Sequence, residues 1–358
     1  MFRILETIEL QGWREQPIDM PASLQDFCPC DGTSLRMVAA VSSSESRWAV
    51  RVGCCPRCGY VGYIDRPTAE WFQQFYASQW DQQSALNLDA TIEHLRSKPP
   101  EFTPHPISTL AEQVPFNPDA RIIDAGCGYG WPLECLRRKG YKHLAGVESC
   151  PHRAQVAREA WGFDVRAESI EQHHGGPYDV ILSHHVLEHT FDPRAILHKL
   201  ASLQPEGGYL VLSVPDTATE PTMGVLTFLP HLHSFSRQGL YWLLEDCGYT
   251  VILEAKGDIN VVARKTSDQS ERKFSTIRHS VNCFWAAEHK LRKGLGYPRA
   301  GMFAWAKKHD RGWYFDILAD RPDANHEPRI LRVEPIRERR TDAPIEIQWE
   351  GPLRLFVK

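Results

Sequence analysis

Arg121-Ile-Ile-Asp-Ala-Gly-Cys-Gly-Tyr-Gly130 sets three glycines within five positions, directly behind a short apolar run. A glycine-rich turn between a strand and a helix brings backbone N–H groups close to a ligand, because no Cβ stands in the way. The dinucleotide fingerprint requires Gly-x-Gly-x-x-Gly, whose third glycine packs helix on strand. Counting from Gly126 and Gly128, that position is Trp131, so the fingerprint fails. A phosphate-cradling loop needs a Lys and a Ser or Thr after its last glycine, and none follows. What remains is Asp-x-Gly-x-Gly-x-Gly from Asp124 to Gly130, ahead of a segment that ends on Glu148.

Outward from that loop, strand-like and helix-like runs alternate, the pattern of a parallel sheet with crossover helices. Arg121–Asp124 reads as the first strand and Pro132–Lys139 as the helix behind the loop, stopped by Gly140. His143–Glu148 is a second strand, Pro151–Ala160 a helix, and Phe163–Arg166 a third strand. Tyr178–Ser183 and Gly207–Val214 follow, and Tyr249–Glu254 with Ile259–Ala263 reads as a hairpin around Lys256-Gly-Asp258. Upstream, prolines recur from Lys98 to Pro118, which disfavours regular structure and marks a linker.

Taken in order, these features resemble the class I S-adenosylmethionine-dependent methyltransferases. The likeness covers residues 107–265 and rests on the loop, on Tyr178-Asp-Val-Ile-Leu-Ser-His-His-Val-Leu-Glu-His189, on Leu203-Gln-Pro-Glu-Gly-Gly-Tyr-Leu-Val-Leu212 and on Pro230–Tyr249. It implies a doubly wound α/β fold, a seven-stranded and mostly parallel Rossmann-like sheet. It also implies that Asp124, Gly126, Gly128 and Gly130 wrap the amino-acid part of S-adenosylmethionine, while Glu148 holds the two ribose hydroxyls. The implied cofactor set extends to Cys127, Ser149, Glu168, Ser183 and His184.

Methyl transfer is an in-line displacement that needs an aligned acceptor, and a base if the acceptor is a hydroxyl. Ligands of open α/β sheets lie beyond the carboxyl ends of the strands. His185, Glu188 and His189 stand there, and His231 and His233 belong to a later loop. Histidine suits the base because its unperturbed pKa is near working pH. Which histidine acts stays open, as does a capping role for Glu188 and His189. The spacing His185-x-x-Glu188-His189 also places three donors on one face of a helical turn, where a divalent cation would bind. Methyltransferases of ubiquinone biosynthesis have a similar Glu-x-x-Glu-His there, with Glu in place of His185. The zinc-protease reading of the same letters belongs inside a long helix, and this segment follows a strand.

The first 95 residues carry Cys28-Pro-Cys30-Asp-Gly32 and Cys55-Pro-Arg-Cys58-Gly59. Four sulfurs from Cys28, Cys30, Cys55 and Cys58 would close a structural zinc site in a segment too small for a full core. With Arg66-Pro67 and Phe75–Trp80, this head resembles that of methyltransferases in sugar and polysaccharide pathways. The first pair is one residue short, leaving strained ligation, substitution by Cys54 or loss of the metal as alternatives. Residues 96–265 are then the methyltransferase domain. Residues 266–358 form a helix-plus-β extension with a helix at Ser275–Lys293, strands near 313–318, 329–333, 345–349 and 353–357, and a charge cluster at Arg337–Arg340.

The net charge is −4, yet the last 93 residues carry 18 Lys+Arg against 13 Asp+Glu, leaving −9 on the rest. An acidic body is a poor tracker of nucleic-acid backbone, while the basic tail suits a small phosphate-bearing anion. No run of apolar residues is long enough to span a bilayer, and the first residues lack a secretory core, so a cytoplasmic enzyme is expected. The expected partner is a small-molecule or glycan-linked acceptor, with O-methylation of a sugar hydroxyl first. C-methylation of a nucleotide sugar, RNA or protein methylation through a zinc ribbon, and a non-catalytic cofactor-binding module are the alternatives. The residues imply no particular oligomeric state.

Overall fold

A computed structural model describes residues 22–42, 49–55, 57–78, 87–97, 105–114, 116–216 and 231–267, with strands at 302–309, 312–319, 329–336, 345–347 and 355–357. The expected helix at Ser275–Lys293 and the cluster at Arg337–Arg340 lie outside these residues. The chain divides into two compact units. One comprises Met1–Thr68, Thr217–Gln238 and Thr276–Lys358, the other Ala69–Asp216 and Gly239–Ser275.

The cysteine-bearing unit is built from short antiparallel strands. β1 (Ala22–Leu24) pairs with β5 (Asp65–Pro67), and β2 (Arg36–Ser42), β3 (Ala49–Cys54) and β4 (Val61–Tyr63) form a meander. β11 (His233–Ser234) adds to its edge, giving the order β11-β4-β3-β2. Further strands β14 (Met302–His309), β15 (Gly312–Ala319) and β16 (Arg329–Ile336) make a three-stranded antiparallel sheet, and β17 (Ile345–Ile347) pairs with β18 (Leu355–Val357). The strand at Met302–His309 was not expected from the sequence.

In the other unit, β6 (Arg121–Ala125), β7 (His143–Val147), β8 (Asp164–Arg166), β9 (Val180–His184) and β10 (Tyr209–Val214) run parallel. The hairpin of β12 (Tyr249–Ala255) and β13 (Ile259–Lys265) adds antiparallel at one end, giving β12-β13-β10-β9-β6-β7-β8. This is the expected doubly wound, seven-stranded, mostly parallel sheet. Its central strands are apolar because helices cover them. Ile122, Val180, Leu182 and Val211 pack with Ile107 and Leu110 of α3 (Pro106–Ala111) and Leu136 of α4 (Trp131–Arg138). Leu133 of α4 meets Ala154 and Ala157 of α5 (Pro151–Trp161) and Val165 of β8. α1 (Ala69–Ser78), α2 (Leu88–Arg96), α6 (Pro193–Ser202) and α7 (Arg237–Asp246) complete the set.

Two local features correct the proline reading within residues 105–114. Pro106 occupies the first turn of α3, where its missing N–H costs nothing, and its fixed φ favours the helix. His105 caps that helix, its Nδ1 accepting the Ile107 N–H at 3.3 Å.

Candidate functional site

Sheet order brings the glycine loop, Glu148 and the end of β9 to the same carboxyl-terminal edge. The loop turns back at once: the Gly126 and Cys127 N–H groups both donate to Val147 O, at 2.8 and 3.0 Å. Gly126 has φ 85°, and a Cβ there would lie 2.4 Å from Val186 Cγ2, so only glycine fits. Gly128 has φ 53°, and a Cβ there would meet nothing within 4 Å. Beside it is open space. Gly130, φ 77°, opens α4. Cys127 turns its side chain into the core, where Gly146 makes room for the sulfur, so only its backbone belongs to the loop.

Two acids stand against this loop, and they differ in kind. Glu148 Oε2 accepts the Gly128 N–H at 2.9 Å and Oε1 the Cys150 N–H at 2.8 Å. A carboxylate has about four acceptor positions, so lone pairs remain for further donors. Asp124 is 1% exposed, and neither of its carboxyl oxygens has a hydrogen-bond partner among the described residues. Burial pushes its carboxyl up to about 8, with the Glu148 charge adding to the shift. A buried acid without a donor is matched by a ligand that brings positive charge or N–H groups. Together the loop and acids suit a ligand carrying a cation and vicinal hydroxyls.

The other residues assigned to the cofactor occupy varied settings. Ser149 is exposed next to Glu148, and Ser183 is buried in β9. Glu168 accepts from His173 at 2.8 Å, and the opposite ring nitrogen of His173 meets Tyr178 Oη at 3.0 Å. His184 ends β9 with its ring between those of His105, at 4.5 Å edge-on, and His185, at 4.3 Å. Burial lowers His184 to about 3 and His105 to about 4, the His185 charge adding to both.

His185 is the centre of the second cluster. It has φ 52°, uncommon for a residue with a side chain, and its N–H donates to Ser213 O at 2.9 Å. That left-handed kink precedes a 3-10 turn over Leu187–His189, so the segment is not a continuous helix. His185 Nδ1 lies 3.2 Å from Glu188 Oε1, which is fully buried, and Nε2 lies 3.7 Å from Asp258 Oδ2. His189 Nε2 is 3.9 Å from the same Glu188 oxygen. Register explains Asp258. Ser213 of β10 is partner to His184 on one side and Asn260 on the other, so His185 and Asp258 emerge at one edge.

Sequence reading missed His105 and Asp258. His105 sits in the proline-rich stretch, where the apolar spacing Ile107, Leu110, Ala111 was the available signal for a helix. His231 and His233 belong to the cysteine-bearing unit. His233 is buried on β11, hydrogen-bonded to Tyr60 and stacked on Phe235 at 5.7 Å, so it stands on a strand of that unit where a loop was expected. His231 is half-buried just before it.

Cys28, Cys30, Cys55 and Cys58 are buried together and none is in a disulfide. Cys28 Sγ and Cys58 Sγ are 3.6 Å apart. Tetrahedral ligands at about 2.3 Å from zinc would be about 3.8 Å apart, so the spacing suits a shared metal. Bonds from the Cys28, Cys30 and Cys55 thiols draw Cys58 well below its ordinary range, while burial pushes Cys28 and Cys30 up.

Comparison with known proteins bears on the same part of the chain. The family described as "Methyltransferase domain" matches residues 93–254. The chain is 32% identical over 199 residues to the ubiquinone biosynthesis O-methyltransferase of Erwinia tasmaniensis, covering 52% of this chain and 69% of that one. It is also 32% identical over 120 residues to the enzyme of that name from Xylella fastidiosa, covering 31% of this chain and 48% of that one. It thus spans about half the length of the latter relative. A solved S-adenosylmethionine-dependent methyltransferase from Mesorhizobium loti aligns with a TM-score of 0.39 at 15% identity, covering 44% of this chain and 95% of that one. The chain belongs to the class I S-adenosylmethionine-dependent methyltransferase family. Among the described residues, no helix is long and apolar enough to cross a membrane.

Proposed function

We propose that the protein moves a methyl group from S-adenosylmethionine to a hydroxyl oxygen of a small-molecule or glycan-linked acceptor, a sugar hydroxyl first among them. The relatives named above are O-methyltransferases of ubiquinone biosynthesis, which supports an oxygen acceptor on a small molecule. S-adenosylmethionine supplies an electrophilic methyl on a sulfonium. Asp124 offers its buried carboxyl to the cofactor's positive groups, and the remaining lone pairs of Glu148 accept from the ribose hydroxyls. The backbone from Gly126 to Gly130, including Cys127, lines the amino-acid part. Ser149, Glu168, Ser183 and His184 surround the remainder.

One observation carries the chemistry: the His185 ring is bracketed by Glu188 at 3.2 Å and Asp258 at 3.7 Å, at the carboxyl end of β9. A neutral imidazole there removes the acceptor's proton, and the two carboxylates stabilise the resulting imidazolium and hold its orientation. Positioned acid–base catalysis contributes about 10²–10⁴-fold. His185→Gln therefore lowers kcat by about a hundredfold or more while the cofactor Kd changes less than about twofold. Turnover unchanged in His185→Gln and in His189→Gln would reject proton transfer by this cluster.

A second reading has its own support in Glu188 Oε1, which faces both His185 and His189 at 3.2 and 3.9 Å. A divalent cation held by His185, Glu188 and His189 would make turnover depend on added Mg²⁺ or Mn²⁺, whereas proton transfer alone would not. In the cysteine-bearing unit we infer a structural Zn²⁺ on the thiolates of Cys28, Cys55 and Cys58 and a fourth donor, because the Cys28 and Cys58 sulfurs stand at ligand spacing and Cys55 lies in a second donor group that shares Cys28.

A further inference from the structure

The two cysteine turns are built on one plan. In the second, the Cys55 N–H donates to Tyr60 O at 2.7 Å and the Gly59 N–H to Cys55 O at 3.0 Å. In the first, the Cys28 N–H donates to Thr33 O at 2.8 Å and the Gly32 N–H to Cys28 O at 2.9 Å. The offsets are the same, and both glycines are left-handed, with φ 77° and 73°.

Aligning the turns by these bonds pairs Cys28 with Cys55, Cys30 with Arg57, Asp31 with Cys58, and Gly32 with Gly59. A third bond follows the same register. The Tyr60 N–H donates to Cys58 Sγ at 3.4 Å, and the Thr33 N–H donates to Asp31 Oδ1 at 2.9 Å. Asp31 thus presents a carboxylate from the position where the other turn presents a sulfur. Cys30 stands where the other turn has Arg57, whose side chain is 54% exposed.

Burial alone does not separate the two residues, since Cys30 is 0% exposed. The Asp31 carboxylate is 7% exposed, and Oδ1 lies 3.6 Å from Cys55 Sγ. Donor atoms of Cys28, Asp31 and Cys55 all lie within 4.8 Å of one another, and so do those of Cys28, Cys30 and Cys58. The two groups share Cys28 and together offer five donors, where zinc has four places. The repeated turn geometry decides between them.

We propose that Asp31 is the fourth zinc ligand, completing a three-thiolate, one-carboxylate site with Cys28, Cys55 and Cys58, and that Cys30 is not a ligand. The short Cys28-Pro-Cys30 pair is then an ordinary four-residue ligand turn, Cys28 to Asp31, with a cysteine in its third position. Arg57 Nη1, 3.7 Å from Asp31 Oδ2, offsets part of the negative charge these ligands bring. The assignment rests on the zinc reading above.

The test uses the full-length protein, with bound metal quantified and X-ray absorption at the zinc edge counting its sulfur neighbours. Three sulfurs and one oxygen are expected for the wild type. Asp31→Cys should raise the count to four. Cys30→Ser should leave it at three with zinc still stoichiometric, and Asp31→Ala should speed zinc extraction by a chelator about tenfold or more. Four sulfurs in the wild type, falling to three in Cys30→Ser, would overturn the assignment while leaving zinc in place. A protein that binds no stoichiometric zinc would overturn the zinc reading and this assignment with it. Should Asp31→Ala fail to fold, Asp31→Cys still decides: no gain of a sulfur refutes the carboxylate's place.

Discussion

Glu148 Oε2 accepts the Gly128 N–H at 2.9 Å, so the acid at the end of β7 is tied to the loop at the end of β6 before any ligand arrives. A carboxylate already ordered by two backbone donors loses little freedom when it accepts two more bonds. Glu148→Gln keeps the shape but removes the charge. It should weaken S-adenosylmethionine binding by about 10–100-fold, since a hydrogen bond to a charged group contributes about 1.5–3 kcal/mol. Calorimetry giving a wild-type Kd for this variant would exclude the ribose role.

Asp124 should make binding pH-dependent. With its carboxyl pushed up to about 8, it is protonated near neutral pH in the free protein. A cationic ligand favours the ionised form, so binding expels a proton and affinity climbs from pH 6 to pH 8, then levels. For stability the sign is opposite. An acid raised by folding contributes stability that is complete below about pH 4 and is lost as pH rises through about 8. Asp124→Asn should flatten both trends, and titration calorimetry in buffers of different ionisation heat would count the proton released.

The loop glycines should fail in different ways. Gly126→Ala pushes a methyl into Val186 Cγ2 at 2.4 Å and strains a left-handed residue, so the fold itself should lose about 2–4 kcal/mol. Gly128→Ala meets open space, with only the left-handed strain of about 1–2 kcal/mol, yet its methyl enters the proposed cofactor cradle. Melting curves should single out Gly126→Ala, and cofactor binding should drop in Gly128→Ala even where the protein is fully folded. Undiminished affinity in Gly128→Ala would place the cofactor elsewhere.

His105 and His184 should report acid instability and not catalysis. Burial holds them at about 4 and about 3, below the unfolded value near 6.5, so the stability they contribute is present above pH 6.5. It is lost progressively as pH falls toward 4 and then 3. The melting temperature should decline over that window, and less steeply in His184→Gln. Neither group titrates near neutrality, so a neutral limb in the rate profile that survives His185→Gln would point away from this imidazole cluster.

The sheet was legible because its pattern is local. Short apolar runs at Ile122–Ile123, Val180–Leu182 and Leu210–Leu212 mark strands covered on both sides, and a turn at Gly257 separates the two strands of the hairpin. The proline-rich stretch misled because proline breaks a helix from within but starts one from its first turn, which is where Pro106 stands. His233 misled for another reason. A two-residue strand at a sheet edge has no periodicity to read, and its pairing with Gly62 is non-local.

Sequence by itself determined the glycine turn, the acids at Asp124 and Glu148, the order of strands and helices, and the presence of two cysteine turns, since each is written in neighbouring residues. Tertiary structure alone decided that His105 and Asp258 join His185, that Glu148 grips Gly128, and that Asp31 stands in the position of Cys58. Those relations depend on sheet register and on backbone hydrogen bonds. Register sets which distant residues share an edge, and only the folded turn shows which side chain a hydrogen-bond pattern aims inward.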